Sequence, residues 1–148
     1  MAAILWGSDT ITQDVDVCYA RERENIAALV KALKSMDAHL RGFPEGLPEI
    51  IDERTFQLGD TIPFDTRFGK FDCLGTPSGT RGYMDLAQFA KLMDIGRGTM
   101  VLVAGIDDII RMKRTAGRVK DLNVVEGLKL LKEMRRDLDA KGEPPAGE

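Results

Sequence analysis

Two neighbouring segments near the start of the chain carry its clearest hydrophobic patterns. Acidic and apolar residues alternate over residues 14–19, which predicts a strand with Val15 and Val17 on one face and the acids on the other. Apolar residues then recur every three or four positions over residues 22–36, which predicts an amphipathic helix. A strand followed by such a helix indicates that the helix packs on a sheet.

The rest of the chain predicts further short helices and strands. In chain order these are a helix at 2–6, a loop with a small helix at 41–60, a hairpin at 62–74 turning at Gly69–Lys70, a helix at 85–93, a strand at 99–103, and helices at 106–116 and 122–138. This order predicts an α+β fold with a small mixed β-sheet flanked by helices. We expect one domain over residues 1–140, and a disordered tail over 141–148 because that segment is rich in proline and glycine.

Composition narrows the functional classes. Hydrophobic residues make up 43% of the 148 residues and charged residues 30%, which is typical of a soluble globular protein. The net charge of −3 argues against a strongly basic nucleic-acid-binding protein. One histidine and two cysteines offer neither a zinc-ligand set nor a Ser-His-Asp triad, so carboxylates and cations must carry any chemistry. No segment is typical of a signal peptide or membrane helix, so we expect a cytoplasmic protein without membrane contact.

Three carboxylates are the first candidate site. Asp14 and Asp16 are two apart on a predicted strand and therefore share a face, where they could bind Mg²⁺, which prefers oxygen ligands. Asp72 lies among apolar residues of the predicted hairpin, where an isolated acid is costly unless it is paired or bound to a metal. The simpler alternatives are a solvated acidic face for the pair and an exposed position on the hairpin for Asp72.

The charged segment 113–121 is the second candidate. Lys113 continues the apolar stripe of the helix at 106–116, so its ammonium could enter a cleft, and Asp121 lies on the inward stripe of the last helix. The structural alternatives are that cations complement the helix dipole and that Asp121 is an N-cap. A contact with nucleic acid is a further hypothesis, although a solvated helix end explains the local cations more simply. Those cations are Arg111, Lys113, Arg114, Arg118 and Lys120.

Four other residues give weaker signals. A turn at Gly7–Ser8 can present backbone N–H groups to a phosphate, although a plain loop is the simpler interpretation. We expect His39 to be a surface or capping residue. Cys18 and Cys73 are predicted to be small buried apolar side chains.

The order of these motifs is informative. Gly7-Ser8 precedes Thr12-Gln13-Asp14-Val15-Asp16-Val17, Phe71-Asp72-Cys73-Leu74 follows, and a Lys-x4-Arg-x-Lys-Asp element comes at 113–121. This order, which covers residues 2–135, resembles the nucleotidyltransferase superfamily with the DNA polymerase β-like fold. It is most similar to the minimal bacterial members related to AbiEii-type toxins.

The resemblance implies a metal-dependent enzyme that moves a nucleoside monophosphate from an NTP to an acceptor, which is an RNA, a protein or a small molecule. Asp14, Asp16 and Asp72 would be catalytic and would hold Mg²⁺ or Mn²⁺. Lys113 would be a further catalytic residue that neutralises the triphosphate. The implied nucleotide-binding residues are Gly7, Ser8, Lys113, Arg118, Lys120 and Asp121. An antitoxin protein is a further expected partner.

The glycine-rich phosphate motif of the family departs from its usual pattern here. Only five residues separate Ser8 from Asp14, fewer than the family shows, so we interpret the family's first strand and glycine turn as missing. This favours a second hypothesis, a degenerate non-catalytic binding module of the same fold. A third hypothesis, a haloacid-dehalogenase-type phosphatase with Asp14 as nucleophile, fits less well because that family has Thr or Val where Cys18 stands.

Overall fold

The computed structural model describes residues 1–9, 12–44 and 46–142, with the backbone alone for residue 120 and residues 138–142. Most of the predicted tail at 141–148 lies outside this range. The elements follow in the order α1 (Ala2–Leu5), β1 (Asp14–Cys18), α2 (Arg23–Ser35), β2 (His39–Leu40), α3 (Glu53–Leu58), β3 (Thr61–Thr66), β4 (Gly69–Leu74), α4 (Tyr83–Ala87), β5 (Lys91–Asp94), β6 (Met100–Val103), α5 (Ile106–Ala116) and α6 (Val119–Gly142). The chain divides into a first unit of Met1 and residues 11–89 and a second unit of residues 2–10 and 90–148.

The first unit is built on a four-stranded mixed sheet. The strands lie in the order β1-β4-β3-β2. β1 and β4 run parallel, whereas β3 is antiparallel to both β4 and β2. The prediction of an α+β fold with a small mixed sheet flanked by helices is therefore confirmed.

One face of this sheet forms the core of the first unit. The alternation along β3 turns Ile62 and Phe64 inward, and Cys73 of β4 lies on the same face. The buried stripe of α2, formed by Ile26, Val30 and Leu33, belongs to the same apolar cluster. Each large side chain removed from water in this way stabilises the fold by about 1.5–3 kcal/mol. The opposite face of the sheet is thereby left for polar side chains.

The second unit combines a hairpin with three helices. β5 and β6 pair antiparallel, and α5 packs against α6 and α1. Its core contains the side chains of Ala3, Trp6, Val103, Ile109, Ile110, Val125 and Leu128. The indole Nε1 of Trp6 donates to the carbonyl of Ala104 at 2.8 Å, so its polar atom is satisfied within the core. Gly117, with φ of +64°, ends α5 in the left-handed conformation that glycine adopts at low cost, as its position predicted.

Several elements differ between the prediction and the structure. The predicted helix at 85–93 is wrong beyond Ala87, because residues 91–94 pair with β6 as strand β5. The strand β2 was not predicted, since two residues carry no periodicity and depend on their pairing with β3. The hairpin turns at residues 67–68 rather than at Gly69–Lys70, because Gly69 already pairs with Thr66 as the first residue of β4.

Within the described residues, no helix is both long and apolar enough to cross a membrane.

Candidate functional site

The parallel pairing of β1 with β4 brings the predicted carboxylates onto one face of the sheet. Asp16 lies directly opposite Asp72 in the register, which places their Cα atoms on strands roughly 4.8 Å apart. Asp14 shares the face of Asp16 because alternate residues of a strand point the same way. Asp65 of β3 joins them, since it and Asp14 are both register partners of Lys70. We call the surface formed by Asp14, Asp16, Asp65 and Asp72 the acidic face.

The acidic side chains share one face of the sheet because the apolar side chains of the same strands lie on the opposite face, which packs into the core. Val15 and Val17 of β1 and Phe71 of β4 are partly buried and alternate with the acids. A shift of the register by one residue would bury the carboxylates and expose the core, so the hydrophobic pattern fixes both faces at once. The period of two that predicted β1 is therefore also what positions Asp14 and Asp16 together.

Arg41 contacts two carboxylates of this face, on which Lys70 of β4 also lies as the register partner of Asp14 and Asp65. Its Nη2 lies 3.1 Å from Asp72 Oδ1, and its Nε lies 3.2 Å from Asp65 Oδ1. The same Nη2 donates to the carbonyl of Phe64 at 2.8 Å, and the backbone N–H of Arg41 donates to the carbonyl of Pro63 at 2.9 Å. Burial lowers the pKa of Arg41, but the two carboxylates outweigh it and raise the pKa above its ordinary value. The guanidinium is therefore a fixed positive charge.

Asp72 differs from its neighbours in burial. Its side chain is only 19% exposed, whereas Asp14 is half-buried and Asp16 is exposed. Among the described residues, the buried Asp72 Oδ1 has no hydrogen-bond donor. The 3.1 Å contact with Arg41 Nη2 is an ion pair that compensates the charge of Asp72.

The acidic face carries carboxylate oxygens, which are the ligands that Mg²⁺ and Mn²⁺ prefer. The buried Asp72 Oδ1 lies 3.1 Å from Arg41 Nη2, so a cation of this chain already contacts it. In the described part of the chain, however, no group of three acidic, histidine or cysteine side chains is gathered closely enough to hold a metal. The acidic face thus presents carboxylates, the ligand type that Mg²⁺ prefers, on the strands that were predicted to carry them. Arg41 supplies a positive charge beside Asp72.

Lys113 and Asp121 contact each other within the second unit. Lys113 Nζ lies 2.9 Å from Asp121 Oδ1, and the two side chains are 25% and 11% exposed. Asp121 is buried and Lys113 is partly buried. The N-cap interpretation of Asp121 is wrong, because α6 begins at Val119 and Asp121 lies within its first turn. The pair joins α5 to α6, so both charges are already compensated inside this unit.

The other predicted nucleotide-binding residues also belong to the second unit. Gly7 has φ of +103°, and its N–H donates to the carbonyl of Ile4 at 2.8 Å. The N–H of Ser8 donates to the carbonyl of Ala3 at 2.9 Å, so both amide groups are engaged at the end of α1. Arg118 is exposed, and the side chain of Lys120 lies outside the described residues.

No model of a known protein family matches this chain, and no curated protein matches it either. The acidic face and its contacts therefore have to carry any functional proposal by themselves.

The two cysteines lie on opposite faces of the sheet in the first unit. Cys73 is fully buried in the core, and burial raises the pKa of its thiol to about 12. Cys18 is half-buried on the same face as Asp16. Its pKa is raised to about 11, mainly by burial and further by the carboxylate of Asp60. Cys73 confirms the predicted apolar role, whereas Cys18 is only partly covered.

Sequence reasoning missed Arg41 as a functional residue. It lies in the segment 41–60, where scattered glycine and proline residues hide any periodicity. Its partners Asp65 and Asp72 are 24 and 31 positions away, and the pairing of β2 with β3 alone brings them together. The available signal was a lone arginine beside the histidine and leucine that form β2, which is weak without the sheet topology.

Proposed function

We propose that this protein is a metal-dependent nucleotidyltransferase that moves a nucleoside monophosphate from an NTP to an acceptor hydroxyl. The observation that carries the proposal is the register of β1 and β4, which places Asp16 opposite Asp72 with Asp14 on the same face. Like charges at this separation repel each other. A divalent cation between them would relieve the repulsion, which is why the arrangement supports a metal-binding role.

The proposed reaction forms one P–O bond and breaks another. The acceptor oxygen attacks the α-phosphorus of the NTP, the bond to the β-phosphate oxygen breaks, and pyrophosphate leaves. In the proposal, Asp72 takes the proton of the hydroxyl, as a carboxylate on the same face as Asp14 and Asp16. Asp14 and Asp16, with Asp72, would hold Mg²⁺ or Mn²⁺, and the bound ion would neutralise charge on the triphosphate.

The remaining roles implied by the family resemblance stay predictions. They are nucleotide binding by Gly7, Ser8, Lys113, Arg118, Lys120 and Asp121, a nucleotidyltransferase-like fold, a cytoplasmic location and an antitoxin partner. The ion pair of Lys113 with Asp121 bears on the predicted nucleotide binding, because Lys113 must break this 2.9 Å contact before it can bind a phosphate.

A second candidate function, a non-catalytic binding module, is favoured by the contact between Arg41 and Asp72. Here the guanidinium neutralises the third carboxylate without any metal ion. In this alternative the acidic face is a permanent ion-paired surface, and the protein acts through a partner rather than through nucleotide chemistry.

Calorimetric titration of each NTP, with and without Mg²⁺, tests the proposal. We expect binding that requires Mg²⁺, and transfer of label from an α-³²P-labelled NTP to an RNA, protein or small-molecule fraction. Mg²⁺-dependent binding without transfer to any fraction would support the metal site and contradict the transfer reaction. Absence of binding for all four NTPs would contradict the enzyme and favour the non-catalytic module.

A further inference from the structure

We propose that residues 46–51 form a strap that closes the outer edge of strand β2 through the carboxylate of Glu49, and that loss of a proton from His39 loosens this strap. β2 is the last strand in the order β1-β4-β3-β2, so among the described residues only one side of it is paired with another strand. The open edge of a sheet presents backbone groups to which another chain can add. A strap over β2 therefore protects this edge from such pairing.

The backbone of β2 shows which groups lie at the edge. The N–H of Arg41 donates to the carbonyl of Pro63 at 2.9 Å, and in an antiparallel pair the preceding residue then directs its backbone groups away from the partner strand. That residue is Leu40. Its carbonyl accepts from the N–H of Phe43 at 3.1 Å, and its N–H donates to Oε1 of Glu49. Glu49 thus occupies the N–H that Leu40 would otherwise offer to an added strand.

Glu49 attaches the middle of the strap to the sheet. The side chains of Leu47 and Ile50 are 59% and 67% exposed, so they contribute little apolar burial. Ile51 packs against the core of the first unit, and the carbonyl of Ile50 accepts from the hydroxyl of Thr55 at 3.4 Å. These contacts hold the end of the strap next to α3. Opening of the strap at Glu49 is therefore a local event that leaves the core in place.

His39 contacts the second oxygen of the same carboxylate. Its Nδ1 lies 2.8 Å from Oε2 of Glu49, so one carboxylate contacts two consecutive residues of β2. A protonated imidazole donates from both ring nitrogens, and a hydrogen bond between two charged groups is stronger than a neutral one. The ring is 65% exposed, so it exchanges protons with water directly. Loss of its proton replaces a cation by a neutral ring and weakens the hold on Glu49.

Other charged groups also surround the ring. Oδ1 of Asp37 lies 3.7 Å from Nε2 of His39. Asp65 of β3 is the register partner of His39, and Arg41 contacts Asp65 at 3.2 Å, so these two charges compensate each other. Lys70 of β4 is the register partner of Asp65 and lies one strand further away. The net effect of these neighbours favours the protonated ring.

The pKa values agree with this arrangement. The hydrogen bond to Glu49 is the largest of the effects that raise the pKa of His39 above its ordinary value of 6.5. Burial raises the pKa of Glu49, but the hydrogen bonds from Leu40 and His39 outweigh it and bring the pKa below its ordinary value. The contribution of His39 to the strap is therefore fully present below about pH 6.5 and is lost as the pH rises through the raised pKa.

Amide hydrogen exchange of the whole chain, measured by NMR at pH 5.5 and pH 8, tests the strap. The protection factor of the Leu40 amide, which corrects for the intrinsic pH dependence of exchange, should be about 3-fold lower at pH 8, as expected for loss of an exposed ion pair. The Arg41 amide is the control within the same molecule, since it is bonded to Pro63 rather than to the strap. Its protection factor should change by less than about 1.5-fold.

Two variants separate the roles of the ring and the carboxylate. His39→Gln keeps a neutral donor but cannot gain a charge, so its Leu40 protection factor should be equal at both pH values. Glu49→Gln should lower the factor at pH 5.5 by about 3-fold, because the charged acceptor is lost. Glu22→Gln, which changes an exposed acid before α2, is the matched control and should behave as the wild type.

A second readout covers the case in which a variant does not fold. In the wild type, the amide proton shift of Leu40 should titrate with the same midpoint as the ring of His39. Equal Leu40 protection at both pH values in the wild type, a pH dependence that persists in folded His39→Gln, or a Leu40 shift that does not follow the ring overturns the proposed strap.

Discussion

The carboxylates on the acidic face of the first unit and those of the α5–α6 helix pair of the second unit differ in how they are paired with cations. In the helix pair, Asp107, Asp108 and Asp121 each contact a separate lysine or arginine, at 2.6, 2.7 and 2.9 Å. On the acidic face, one guanidinium contacts Asp65 and Asp72 at the same time. One-to-one pairing is typical of charges that stabilise a fold, whereas carboxylates gathered on one face are typical of a site for a cationic ligand.

The comparison also shows why similar sequence signals can have different outcomes. Asp72 and Lys113 are both charged residues in line with apolar positions of the sequence. Lys113 meets Asp121 eight positions later, across the turn at Gly117, so its charge is compensated locally. Asp72 is next to Asp16 in the sheet, and its contacting cation comes from a distant loop. Position relative to an apolar stripe therefore predicts burial, but not the partner.

The largest expected effect is the loss of Mg²⁺-dependent nucleotide binding on removal of one carboxylate from the acidic face. Asp16→Asn and Asp72→Asn should each weaken binding of Mg²⁺ and NTP by at least about 100-fold, because a charged ligand to the metal is lost. Calorimetry measures the affinity, and circular dichroism should show an unchanged fold. Glu22→Gln is the matched control, since this exposed acid precedes α2 and makes no capping hydrogen bond. Equal losses in the control would mean that net charge alone is responsible.

The next effect concerns the helix pair. Lys113→Met leaves Asp121 buried without its contacting cation and should lower the free energy of unfolding by about 2 kcal/mol, between the values for exposed and fully buried pairs. Urea denaturation measures this change. Lys132→Met breaks the more exposed pair with Asp107, whose side chains are 48% and 70% exposed, and should cost less than about 1 kcal/mol. Nucleotide binding lost in Lys113→Met without any loss of stability would contradict the structural role of this pair.

A smaller effect distinguishes the two faces of the sheet in the first unit. The raised pKa of Cys18, about 11, reduces its thiolate fraction at pH 8, so its reaction with a disulfide reagent should be about 10-fold slower than that of an unfolded thiol. Cys73 has the higher pKa and is fully buried, so it should react more slowly still. Rates from Cys18→Ser and Cys73→Ser, followed by absorbance with and without denaturant, separate the two sites. Faster labelling of Cys73 would show that the core face is open.

The smallest effect concerns His39 at the edge of this sheet. Its Nδ1 lies 2.8 Å from Glu49, and the hydrogen bond raises the pKa of His39 above its ordinary value of 6.5. The stability contributed by His39 should therefore be fully present below about pH 6.5 and be lost as pH rises through the raised pKa. Since the chain has one histidine, a proton NMR titration measures this pKa directly. Glu49→Gln should return it towards 6.5, and an unchanged pKa in that variant would exclude Glu49 as the cause.

The sequence predicted the elements that carry their own periodicity. Alternation located β1 together with the face of its acids, and helical spacing located α2 and α5, because local patterns record which face is buried. The contacts of Arg41 and the strand β2 depend on pairing between distant segments, which no local pattern records. Strand β5 pairs with the next strand, β6, across the short turn at residues 95–99, and four residues are too few for alternation to distinguish it from a helix. Mutual pairing of Lys113 and Asp121 could have been inferred, since both were placed on inward stripes that meet across the turn at Gly117.

The most direct test of the metal site is a crystal grown with Mn²⁺ and a non-hydrolysable NTP, with data collected for the anomalous signal of manganese. We expect an anomalous peak bound by Asp14, Asp16 and Asp72. A peak at another location, or no peak while the nucleotide is bound, would contradict the proposed metal site.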